Sequence, residues 1–78
     1  MKQKIYIIDW VDAYGDPGWK HTSELYSPIM SVQTVGYYVS DDKNSITLAQ
    51  NKSLNEGYCP YGDLITIPKV CIKKKKQI

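Results

Sequence analysis

Apolar and polar positions along this chain recur with a period of two far more often than 3.6, the repeat of strands that turn one face to a core. The first run, Lys4 to Val11, sets Ile5, Ile7 and Val11 on one face and Tyr6, Ile8 and Trp10 on the other. A long irregular stretch follows, Asp12 to Pro28, with the turn signal Gly15-Asp16-Pro17-Gly18 inside it. Thr22 or Ser23 can cap one short helical turn through Tyr26. The second strand is the longest, Ile29 to Ser40, and carries Gly36 midway, where a strand glycine marks a bulge or a sharp bend. The polar turn Asp41-Asp42-Lys43-Asn44 leads into a third strand, Ser45 to Gln50. A second loop, Asn51 to Tyr61, holds Gly57 and Pro60. The fourth strand is Asp63 to Ile67, and Pro68-Lys69 turns the chain at once into a short fifth strand, Val70 to Lys74.

A strand, a long excursion, three more strands and a one-turn break before a closing strand resembles the layout of SH3-like barrels. The fold class expected is therefore all-β: a small five-stranded SH3-like barrel with a long first loop and a 3₁₀ turn before the last strand. Closure of the sheet would remove the exposed edges of an open one. The barrel is expected over 1–72, with 73–78 as a basic C-terminal tail, and deletion of Lys73 to Lys76 is expected to leave the fold intact.

Composition narrows the setting. A chain of 78 residues has room for one domain. A core this small stabilises by only about 3–5 kcal/mol, so a dimer or larger homo-oligomer is expected, with a groove around Trp19 and Tyr61 at or near a subunit boundary. A structural metal is not expected: His21 is the single histidine, and neither Cys59 nor Cys71 has a CxxC neighbour. The start Met1-Lys2-Gln3-Lys4-Ile5-Tyr6-Ile7-Ile8 mimics a signal peptide until Asp9 ends its apolar run. Reduced thiols, a cytoplasmic location and no membrane contact follow as expectations.

The net charge of +2 hides an asymmetry. The body is mildly acidic, and the basicity lies in Lys73-Lys74-Lys75-Lys76. Arginine, the preferred bidentate reader of phosphate and base edges, is absent. The lysine run reads either as a solvated end or as a weak electrostatic handle for nucleic acid.

No catalytic constellation is assigned. His21 stands alone beside Lys20 and Thr22, and no Ser/His/Asp or Cys/His arrangement can be specified. Asp9 and Asp12 point to opposite faces of a strand. Gly15-x-x-Gly18 opens no long helix, so no phosphate loop is present. No cofactor is expected. Among the aromatics, Tyr6, Trp10 and Tyr38 lie within strands and read as core or rim. Tyr14 and Trp19 in the first loop, with Tyr58 and Tyr61 in the second, flank one groove in SH3-like barrels. Trp19 either caps the barrel end or stacks on a ligand or partner, with Lys20 and His21 beside it as donors.

The ordered set Asp9-Trp10-Val11-Asp12-Ala13, Gly18-Trp19, Ser23-Glu24-Leu25, Val35-Gly36-Tyr37, Asp41-Asp42, Ile46-Thr47-Leu48-Ala49 and Gly62-Asp63-Leu64-Ile65-Thr66-Ile67-Pro68-Lys69 spans nearly the whole chain. It resembles the short SH3-like proteins of unassigned function from tailed bacteriophages, with lysine in place of an arginine-rich end. The resemblance implies an accessory protein in the host cytoplasm and brings no catalytic residues. The expected function is non-enzymatic: binding and neutralising a host factor, either a defence protein or a nucleotide-derived immune signal. The alternatives are a small nucleic-acid-binding barrel acting through Lys73, Lys74, Lys75 and Lys76, or a phage structural or assembly module.

Overall fold

The computed structural model describes residues 3–13, 19, 21–24, 29–55 and 60–78. Within them the chain forms five antiparallel strands: β1 Ile5–Asp12, β2 Met30–Asp41, β3 Ser45–Lys52, β4 Tyr61–Pro68 and β5 Ile72–Gln77. They make one open sheet in the order β4-β3-β2-β1-β5. A 3₁₀ turn, Lys69–Cys71, precedes β5 as expected, and a second, Thr22–Glu24, falls where the cap signal lies. Chain beyond it, through Pro28, lies outside the described residues, as does the Gly15–Gly18 turn.

Tyr6, Ile8 and Trp10 form the inner row of β1, with Ile8 fully buried. Ile46 and Leu48 of β3 and Ile67 of β4 join Ile8 and Trp10 in one cluster, flanked by Tyr6, Val32, Tyr38, Ile65, Cys71 and Ile72. Strands that are not neighbours in the sheet thus share a core, which requires the sheet to curl over its inner face. Trp10 donates its indole N–H to Thr34 Oγ1 at 2.9 Å, so its polar atom is satisfied within the core wall.

Gly36 sits where the curl is tight. A Cβ built on it would lie 2.8 Å from the Ala49 carbonyl oxygen and 3.2 Å from Leu48 Cβ. The irregularity in the β2–β3 ladder comes later, between Tyr38 and Ser40. Gly36 is therefore a close-approach glycine, and the bulge expected there is displaced toward Val39.

Several expectations change. Among the described residues β4 and β5 share no ladder, so both remain edges of an open sheet. Lys73–Lys76 are strand, paired with β1 through Asp9↔Lys74, Ile8↔Lys75 and Ile7↔Lys76. The fifth strand, expected over Val70 to Lys74, runs Ile72–Gln77 instead, so it takes in Lys75 and Lys76 as well; their run carries no apolar alternation, and the free hydrogen-bonding edge of β1 imposes the extension. Val70 belongs to the 3₁₀ turn and is exposed. The β3–β4 hairpin also reaches further than expected, and Ser53 N–H donates to Pro60 O at 2.8 Å beyond its last ladder pair, Lys52↔Tyr61.

Candidate functional site

The loop aromatics divide. Tyr14, Lys20 and Tyr58 lie outside the described residues. Trp19 is wholly exposed, at 103% of its reference area, and does not cap the core. His21 is exposed as well. Tyr61, at the start of β4, is half-buried and donates its hydroxyl to Gln3 Oε1 at 2.7 Å. Gln3 in turn donates through Nε2 to Tyr38 O at 3.0 Å. This chain of contacts ties β4 to the chain entering β1, so the Tyr61 hydroxyl is engaged within the fold. Among the described residues Tyr6–Tyr38 is the aromatic pair, edge-to-face at 5.7 Å between centroids, and Trp19 and Tyr61 do not form one.

The polar turn after β2 is well built. Asp42 Oδ1 accepts the Asn44 and Ser45 backbone N–H groups, each at 2.8 Å, which holds its carboxyl below the ordinary aspartate range. Next to it, Asp41 accepts from the Tyr38 hydroxyl and pairs with Lys69 Nζ at 2.9 Å. These two contacts lower the Asp41 carboxyl, and the same hydrogen bond raises the Tyr38 phenol. Lys69 N–H also donates to Asn44 O at 2.8 Å, fastening the 3₁₀ turn to the β2–β3 turn. This cluster is a structural latch.

The lysines of β5 are held in place, a feature not legible from their run alone. Period-two alternation parts them. Lys75 lies on the Tyr6 side, its ammonium 5.7 Å from the ring centroid. Lys4 stands over Tyr38 in the same way, at 5.8 Å. Lys74 and Lys76 face the other way and, with Ile7, Asp9 and Gln33, line a shallow depression of about 150 Å³ on the outer face of the sheet. Lys73 falls at the register shift opposite Asp9–Trp10.

Asp9 and Asp12 do not meet: Asp9 accepts from Gln33 Nε2 at 2.8 Å, and Asp12 Oδ1 accepts from the Ala13 N–H at 2.8 Å. Cys71 is a free, half-buried thiol, and Cys59 lies outside the described residues. No three His, Cys, Asp or Glu side chains converge among the described residues. No helix among them is long and apolar enough to cross a membrane. Compared with known proteins, the chain matches no family model, no curated protein and no solved structure.

Proposed function

We propose that this protein is a small non-enzymatic accessory module of SH3-like build that captures a host factor through the Trp19 loop. The meander β5-β1-β2-β3-β4, with a 3₁₀ turn before the closing strand, supports the SH3-like reading. The phage setting, and with it neutralisation of a host defence protein or immune nucleotide, rests on the ordered sequence motifs. The observation that carries the binding role is the exposure of Trp19. A tryptophan buries more apolar surface than any other side chain, and one left wholly in water is an anchor that lacks its pocket. His21 stands exposed two residues on and supplies a hydrogen-bonding partner at the same place.

The test compares immobilised wild-type protein with Trp19→Ala after exposure to a bacterial lysate. Retained proteins are identified by mass spectrometry, and retained nucleotides by chromatography after heat release. Because Trp19 makes no core contact, the variant is expected to keep its circular dichroism spectrum and to lose no more than about 0.5 kcal/mol of stability. A species that wild type holds should bind the variant at least about 30-fold more weakly, the effect of removing an anchor of 2 kcal/mol or more. Equal retention by both proteins would remove Trp19 from the site.

A further inference from the structure

The outer face of β5, β1 and β2 places two lysines beside apolar side chains. Lys74 and Lys76 stand two residues apart on β5, about 6.8 Å along the strand. Opposite them on β1 are Asp9 and Ile7, and beyond those on β2 are Gln33 and Val35. One step further along, Ile5 faces Tyr37. The result is a pair of lysines beside a mixed floor: Asp9, Gln33 and Ile7 line the depression with Lys74 and Lys76, and Val35, Ile5 and Tyr37 continue the face beyond it. Val35 is 51% exposed on that floor. Asp9 is hydrogen-bonded to Gln33, and the ion pair among the described residues is Lys69–Asp41 rather than one to these lysines. Lys74 and Lys76 thus line the depression with no described carboxylate within ion-pair distance.

We propose that this face is a contact surface for single-stranded nucleic acid: Lys74 and Lys76 hold backbone phosphates while bases lie over Ile7, Val35 and Tyr37. A single strand can lay its bases flat on a sheet and track a line of positive charge beside it. Reading a duplex by its base edges needs an element that enters a groove, and among the described residues this face is flat strand. Lysine contacts phosphate as a point charge, so the surface tolerates any sequence. Asp9 sits beside the two lysines and repels phosphate, which keeps the contact weak and makes it diagnostic. An acidic protein segment would feel the same lysines and the same repulsion from Asp9 but carries no flat base to stack on Tyr37.

The experiment uses the full chain and a fluorescent oligothymidylate, with anisotropy followed over a range of salt. Binding is expected at low ionic strength. Replacing Lys74 and Lys76 together by Gln should flatten the dependence of log K on log salt by about 1.4, the share of two single-strand phosphate contacts. The Lys73→Gln, Lys75→Gln pair should flatten it far less. Asp9→Asn should tighten binding, and Tyr37→Leu should weaken it at least about fivefold through lost stacking. Circular dichroism checks that each variant is folded. No binding at low salt overturns the proposal. So does equal loss from both lysine pairs, which would mean diffuse attraction, or displacement by polyglutamate as efficient as by unlabelled oligonucleotide, which would mark an acidic protein surface.

Discussion

Gly36 shows how one residue can matter for a reason its type does not reveal. Its place in the middle of a long apolar strand marks it as special, since glycine weakens a strand unless something requires it. A bulge and a close backbone approach both require it, and only the distances separate them. The missing Cβ would meet the Ala49 carbonyl, a backbone atom that cannot rotate away, so Gly36→Ala forces β2 and β3 apart. The expected cost is about 1–3 kcal/mol, read as a lower urea midpoint with the slope unchanged. An unchanged midpoint would mean that the sheet relaxes freely at this point. Trp10 was more legible: a tryptophan within a strand reads as core or rim, it is buried, and its indole N–H donates to Thr34 on the neighbouring strand.

At the scale of elements, β5 is the lesson. Lysines on an edge strand keep its open side from pairing with another chain, and charge is the common device for that purpose. The run Lys73–Lys76 is thus part of the sheet as well as a source of charge. Removing residues 73–78 strips the β1 ladder of its partner. Each lost backbone hydrogen bond contributes about 0.5–1.5 kcal/mol, against roughly 3–5 kcal/mol for a domain of this size. The truncated chain is expected to lose its cooperative urea transition, whereas replacing all four lysines by Gln should keep it. A truncated chain that unfolds like wild type would show that β5 adds nothing to the fold.

For the molecule as a whole, the latch between the two turns sets the response to pH. Asp41 and Asp42 have carboxyls lowered in the folded chain by their hydrogen bonds. Their contribution is present above the unfolded value near pH 3.9 and is lost as pH falls through the lowered folded values. Tyr38 is raised, chiefly by its hydrogen bond to Asp41, so its contribution is full below about pH 10 and fades as pH rises through the raised folded value. Both aspartates are solvent-exposed and Tyr38 is only half-buried, which makes each contribution modest and sensitive to salt. Thermal midpoints at low salt should therefore form a plateau from about pH 4 to about pH 10, falling at both ends. Asp42→Ala should shallow the acid arm and leave the alkaline arm in place. An unaltered acid arm would remove Asp42 from the latch.

The alternation along β1 to β4, the turn at Asp41–Asn44 and the break after Pro68 were all readable from the chain, because period, turn chemistry and capping are local. The sequence determined that strands form here and roughly where they stop. It did not determine which face of β1 turns inward, because Ile5 and Ile7 are as apolar as Tyr6 and Ile8. Contact with Ile46, Leu48 and Ile67, far along the chain, decided that. Nor could it show that the last strand runs on through Lys75 and Lys76, or that Lys74 and Lys76 stand together on one face. Those facts come from the unpaired edge of β1, and pairing between distant segments is a property of the folded sheet alone.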